Sequence, residues 1–306
     1  MPRRRLATAT SDFGSGRRES HDSTSFYARF APPVVSGDET VVQPTVVDRL
    51  FCADAREMTE DEVADRSVAL VVTSPPYFTG KEYEIDLAAG HVPSSYVEYL
   101  EMLREVLAVC LAKLEPGGRM AVNVANLGRK PYRSLSADVI SMIQDDLGML
   151  LRGEIIWQKA KAASGSCAWG SYRSPQNPVL RDVTERVIVA SKGRFDRALR
   201  RPAREQMGLP HLATIETDEF LEATIDIWEM PAASATRVGH PAPFPLELPR
   251  RLIELYTYQG DLVLDPFIGS GTTAVAAKRA GRHYVGFDTE QEYLDIAEAR
   301  IAEAPA

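Results

Sequence analysis

The sequence predicts a doubly wound, mostly parallel α/β sheet of seven strands, with helices on both faces and a small insertion. Short apolar, β-branched runs recur at Leu50, Val71, Met120, Ile155, Val187, Val263 and Tyr284, separated by helix-like segments. The polar residues with chemistry to offer fall at or just past the carboxyl ends of those runs, the edge where open α/β sheets hold ligands. At 306 residues the chain has room for one large domain plus an insertion.

Taken in order, residues 1–45 are polar and broken by Gly, Ser and Pro, and read as an N-terminal arm in which aromatics and arginines alternate near Phe26 and Arg29. Arg49-Leu50-Phe51-Cys52 is a short strand running out to Asp54, and residues 60–65 read as a linking helix. The apolar run at 68–72 is a buried strand that stops at Ser74, because Pro75 and Pro76 cannot continue a ladder. Such a stiff turn, ending in Tyr77, suits a flat polar substrate, and equally fits an ordinary strand exit. Ser95, with Glu98 at capping-box spacing, opens a helix whose packing face carries Val97, Leu100, Leu103, Leu107, Leu111 and Leu114. Pro116-Gly117-Gly118 ends it, and Met120 begins the next strand. Arg129 and Lys130 lie in the polar loop beyond that strand, as phosphate contacts or as a solvated turn. A second packing helix covers 135–146, and strands at 154–159 and 185–190 form a pair.

Residues 191–235 match no template and read as a target-recognition region, although Ile225-Asp226-Ile227-Trp228 equally suits a scaffold strand. His240 reads as an orienting or capping residue before an apolar helix at 248–256. Leu262-Val263-Leu264-Asp265 then runs into Pro266-Phe267-Ile268-Gly269-Ser270-Gly271-Thr272-Thr273 and a helix stopped by Gly281. Small residues there let backbone N–H groups approach a ligand at a helix start. The strand at Tyr284 ends in Asp288, at the spacing that suits a carboxylate on ribose hydroxyls. The three-glycine dinucleotide pattern is absent, which disfavours a nicotinamide cofactor. A last helix at 290–304 is expected to bury Tyr293, Ile296 and Ile301.

Composition narrows the classes. No apolar run reaches the roughly eighteen residues a membrane helix needs, so no membrane association is expected. The basic start lacks the apolar stretch of a secretory signal. Cys52, Cys110 and Cys167 are widely spaced, suggesting neither a disulfide framework nor a metal site, and a cytoplasmic setting fits. The net charge of −8 disfavours a uniformly basic nucleic-acid binder, yet basic residues gather between Trp157 and Arg204, among them Lys159, Lys161, Arg173, Lys192, Arg194, Arg197 and Arg204. Local positive charge of that kind reads as a DNA-facing side rather than a solvated surface strip.

Taken together, Ser74-Pro75-Pro76-Tyr77 and the Asp265-Pro266-Phe267-x-Gly269-Ser270-Gly271-Thr272 stretch resemble the β-class DNA amino-methyltransferases, which use S-adenosylmethionine. The catalytic motif preceding the cofactor motif is that class's order. The resemblance implies a Rossmann-like methyltransferase domain whose catalytic half is 46–190 and whose cofactor half is 236–306. It also implies that Asp54 meets the cofactor's adenine amino group and that Phe244 and Pro245 cover its methionine end. Asp265, Pro266, Phe267, Gly269, Ser270, Gly271, Thr272 and Asp288 complete the cofactor set, with Ser74, Pro75, Pro76 and Tyr77 as the catalytic set. A serine at the first catalytic position is the usual form of the N4-cytosine enzymes, whereas adenine enzymes usually carry Asp or Asn; N6-adenine methylation is the alternative. The substrate would be a base flipped out of duplex DNA. The resemblance leaves open a companion restriction endonuclease, as in a restriction-modification system, and either a monomer or a homodimer. Methylation of RNA or protein, or a non-catalytic nucleic-acid-binding module, are the readings from other classes.

Overall fold

The structure is a computed structural model and describes residues 34–76, 95–127, 131–159, 170–180, 182–232 and 244–305. Val35–Ala306 is one compact unit. Its strands are β1 Arg49–Cys52, β2 Val68–Thr73, β3 Leu114–Val124, β4 Leu150–Gln158, β5 Thr184–Ser191, β6 Ile227–Glu229, β7 Leu262–Asp265 and β8 His283–Asp288. They form one eight-stranded sheet in the order β1-β8-β7-β2-β3-β5-β4-β6. Only β5 runs against its neighbours, pairing antiparallel with both β3 and β4; the remaining pairings are parallel.

β2 sits near the middle and is buried at every position, which explains why its sequence is a continuous apolar run rather than an alternation. Helices α1 (Tyr96–Lys113) and α2 (Leu135–Ser141, running into a π turn Met142–Asp146) cover one face, where Leu103, Leu107, Leu135 and Val139 pack with Val71, Met120 and Val122. Short helices α3 (Arg201–Gln206) and α4 (Thr217–Ala223) lead to β6. Then α5 (Glu247–Tyr256), α6 (Thr272–Arg279) and α7 (Gln291–Glu303) cover the opposite face, where Leu252, Ile253, Val275 and Leu294 pack with Leu70, Val72 and Val263. The alternate side chains of β2 thus serve two cores.

Several expectations change. Seven of the strands fall where the apolar runs placed them, and the eighth, β6, comes from the Ile225-Trp228 stretch and pairs with β4. Residues 60–65 are turns, because Glu60-Asp61-Glu62 offers no apolar stripe and only Val63 is buried. The helical turn instead follows Asp54 directly, at Ala55–Glu57. In α1 the buried apolar residues are Tyr99, Leu103, Val106, Leu107 and Cys110, with Val97 exposed. In α7 they are Leu294, Ala297 and Ile301 rather than Tyr293 and Ile296.

β3 starts at Leu114 through a bulge, and Gly117 (φ +76°) fits there because a Cβ would stand 1.9 Å from the Asp196 carbonyl oxygen. Part of the expected arm lies on the body: Arg194 Nη1 donates to the Asp38 carbonyl at 3.0 Å. Residues 1–33 lie outside the described residues.

Part of the basic strip serves the fold. Lys192 Nζ donates to the carbonyls of Ala112 and Leu114 at 2.9 and 2.7 Å. Arg197 and Arg204 lie between the carboxylates of Glu115 and Asp261, at 2.5–3.3 Å. Arg204 is 1% exposed. A guanidinium buried there is neutralised from within and is not offered to a phosphate.

Candidate active site

The two motifs meet on neighbouring strands. β2 pairs with β7 through Leu70↔Val263 and Val71↔Leu264, so Ser74 and the loop after Asp265 leave the same sheet edge side by side. Asp265 joins them. Its Oδ1 accepts from Thr73 Oγ1 at 2.7 Å and from the Phe267 N–H at 3.1 Å, while Oδ2 accepts from Thr273 Oγ1 at 2.6 Å. One carboxylate therefore ties the end of β2, the loop and the first turn of α6. Burial pushes the Asp265 carboxyl up to about 6, against the pull of these hydrogen bonds.

The loop itself is held from outside. Gly271 has φ +79°, and a Cβ on it would stand 2.7 Å from Ala297 Cβ on α7. From the same helix, Arg300 Nη1 donates to Ser270 Oγ at 2.8 Å, to Thr272 Oγ1 at 3.2 Å and to the Ser270 carbonyl. At the end of β8, Asp288 accepts from the Gly269 N–H at 2.9 Å and the Glu290 N–H at 3.0 Å, and burial raises its carboxyl above the usual range. Asp54, beyond β1 and next in the sheet, caps the Ala55–Glu57 turn through the Arg56 N–H at 2.9 Å and grips the Arg56 guanidinium. The carboxylates of Asp288 and Asp54 suit a ligand with hydroxyl and amino donors, while the helix start, which lacks a side-chain cap, suits its acceptor or anionic atoms.

Ser74 is half-buried, Pro75 buried and Pro76 exposed. Beside Ser74 lies a polar row of which the sequence pointed only to Lys159, as a DNA contact. Asn123 Nδ2 of β3 donates to Glu185 Oε2 of β5 at 2.6 Å and reaches Ser74 Oγ at 3.4 Å. Lys159 Nζ donates to Glu185 Oε1 at 2.9 Å. Asn123 and Glu185 are 2% and 7% exposed. The only sequence signal was an Asn within the apolar run Met120-Ala121-Val122-Asn123-Val124.

The remaining expected residues separate. Phe267 is half-buried and packs on the first core, which includes Phe287, itself stacked on Phe51. Phe244 and Pro245 are half-buried just ahead of α5, where Phe244 packs on the second core. Arg173 is exposed, at φ +53°, on a loop closed by the Gly170↔Pro178 bridge. Asp265 and Ser270 are 1% and 4% exposed, with side chains turned into the protein rather than towards a ligand. Lys159 is paired with Glu185 rather than projecting as a lone cation. Tyr77, Arg129, Lys130, Lys161 and His240 lie outside the described residues.

A sequence model of the N6 and N4 DNA methylase family matches residues 68–299, from β2 into α7, and so takes in both motifs. The chain belongs to this family. The methylase is 28% identical to the type II methyltransferase M.MthZI of Methanothermobacter thermautotrophicus over 277 residues, covering 83% of this chain and 76% of the relative. It is also 28% identical to M.BglI of Bacillus subtilis, with 81% and 84% covered. Among solved structures, a DNA modification methylase of Thermus thermophilus, TTHA0409, complexed with S-adenosyl-L-methionine, matches this methylase with a TM-score of 0.64 at 29% identity, covering 83% of this chain and 95% of that one. The cytosine-N4-specific PvuII DNA methyltransferase shares the fold, with a TM-score of 0.61 at 22% identity and 82% and 85% covered.

Proposed function

We propose that this methylase transfers a methyl group from S-adenosyl-L-methionine to the exocyclic N4 of a cytosine flipped out of duplex DNA. The observation that carries the reading is the Thr73–Asp265–Thr273 bridge, which puts the Ser74 turn and the Gly269-Ser270-Gly271 loop on one edge. The acidic row and the uncapped start of α6 fit the cofactor: Asp288 would take the ribose hydroxyls, Asp54 the adenine amino group, and the backbone of the loop the remaining polar atoms. Phe244 and Pro245, ahead of α5, would cover the cofactor's methionine end.

When bound, the cofactor supplies an electrophilic methyl group on a sulfonium. The chain's own residues prepare the acceptor. An exocyclic amino nitrogen is a poor nucleophile because its lone pair is delocalised into the ring. Accepting its two hydrogens on Ser74 Oγ and the Pro75 carbonyl turns that lone pair out of the ring. Tyr77 would stack on the flipped base. The methylated nitrogen is cationic and acidic, so water suffices to take its proton. Positioning of this kind supplies up to roughly 7–11 kcal/mol in favourable intramolecular cases. Cytosine is favoured over adenine because the first catalytic position is a serine, the usual form in N4-cytosine enzymes.

The test is to incubate the protein with methyl-labelled S-adenosyl-L-methionine and duplex DNA, then digest to nucleosides. Label in N4-methylcytosine is expected. Label in N6-methyladenine transfers the reading to the adenine enzymes, and label confined to RNA or protein overturns it.

A further inference from the structure

We propose that Lys159, Glu185 and Asn123 form a polar chain that fixes the orientation of the Ser74 hydroxyl, and that Lys159 belongs to this chain rather than to a DNA-backbone contact. The inference rests on the methyl-transfer reading and adds positioning residues to it.

The sheet places the chain. β2, β3, β5 and β4 are neighbours in that order, and Ser74, Asn123, Glu185 and Lys159 all stand at the edge where β2, β3 and β4 end and the antiparallel β5 begins. The links are Lys159 Nζ to Glu185 Oε1 at 2.9 Å, Asn123 Nδ2 to Glu185 Oε2 at 2.6 Å, and Asn123 Nδ2 to Ser74 Oγ at 3.4 Å. Burying an amide and a carboxylate in an apolar sheet is costly unless they are paired. A lysine–glutamate pair alone would meet that need and end there. This one continues inward to the catalytic hydroxyl.

The chemistry of the groups gives the chain a direction. A carboxylate only accepts, so the Asn123 atom facing Glu185 is the amide nitrogen. Glu185 therefore fixes which end of the Asn123 amide faces Ser74, and the serine oxygen meets a donor. A hydroxyl oxygen that accepts from a fixed amide is restricted in the rotamers it can adopt. Lys159 in turn holds the carboxylate, its ammonium lying 5.9 Å from the Trp157 ring centre as it reaches inward. Glu185→Gln keeps the shape but lets the neighbouring amide turn over, and it releases Lys159.

The experiment measures kcat and KM for both substrates in Glu185→Gln, Lys159→Met and Asn123→Ala, together with cofactor binding by calorimetry and DNA binding across a salt series. Glu185→Gln and Lys159→Met are each expected to lower kcat by about 10- to 100-fold, as when outer-shell partners of reacting groups are lost. Affinity for cofactor and DNA should stay within about twofold, and Asn123→Ala combined with Glu185→Gln should cost little more than either alone. Retention of kcat in Glu185→Gln overturns the proposal. So does weaker DNA binding in Lys159→Met with a salt slope reduced by about one, the signature of a lost phosphate contact. Should Glu185→Gln fail to fold, Lys159→Met decides, because that side chain is partly exposed. A wild-type protein that labels no DNA base removes the methyl-transfer reading itself, a result distinct from wild-type activity that these variants leave untouched.

Discussion

Gly271 carries two constraints at once: a left-handed φ of +79° and a position 2.7 Å from Ala297 Cβ for any added Cβ. A left-handed non-glycine residue costs roughly 1–2 kcal/mol and overpacking roughly 1–3. Gly271→Ala is therefore expected to destabilise the protein by about 2–5 kcal/mol in urea unfolding, and to weaken cofactor binding more than base methylation at saturating cofactor. Asp265 makes a pH-dependent prediction. Its carboxyl is raised from 3.8 to about 6 by burial, so between those values the folded protein holds a proton that the unfolded chain has released. Stability attributable to this group thus falls as pH rises from about 4 to 6, by on the order of 3 kcal/mol, and is flat outside that window. Asp265→Asn should remove this part of the slope in thermal melts across that range. An unchanged slope would show that the carboxylate is ionised throughout.

Among the elements, α7 acts at a distance on the loop that precedes α6. Arg300 holds the Ser270 carbonyl and the hydroxyls of Ser270 and Thr272 in one grip. Hydrogen bonds from a charged donor contribute roughly 1.5–3 kcal/mol, so Arg300→Met should weaken cofactor affinity by about tenfold or more in calorimetry, with kcat at saturation largely kept. The elements were readily legible where local pattern decides them. The β-branched runs became strands, Ser95 caps α1 by accepting from the Glu98 N–H as the capping box predicts, and the Asp265 to Thr273 stretch became strand, loop and helix. Elements that depend on partners were harder to read. Ile227–Glu229 is three residues long, and only pairing with β4 makes it a strand. Asn123 and Glu185 are 62 positions apart, and no spacing rule brings them to Ser74.

Across the whole molecule, charge that looked like a DNA surface proves partly internal. Arg197 and Arg204 bind Glu115 from the β3 bulge and Asp261 from the start of β7, fastening the segment after β5 to the base of the sheet. Removing one partner of a buried ion pair costs roughly 3–5 kcal/mol. Arg204→Ala should lower unfolding stability by about that amount while leaving the salt dependence of DNA binding unchanged; a reduced salt slope would return Arg204 to the DNA side. A count of charges along the chain cannot separate such residues from ones that meet phosphate, because burial is set by contacts between distant segments. The sheet edge, by contrast, was legible, since both motifs end strands and strands of this fold end on one side.

The methyl-transfer proposal requires Ser74 to act on the acceptor base while the neighbouring loop independently holds the cofactor. Single-turnover transfer to duplex DNA by Ser74→Ala, measured beside its calorimetric affinity for S-adenosyl-L-methionine, tests this directly. Affinity within about twofold of wild type and transfer slowed by roughly 100-fold or more is the predicted result. Transfer at the wild-type rate, or a loss of cofactor binding that matches the loss of transfer, would contradict it.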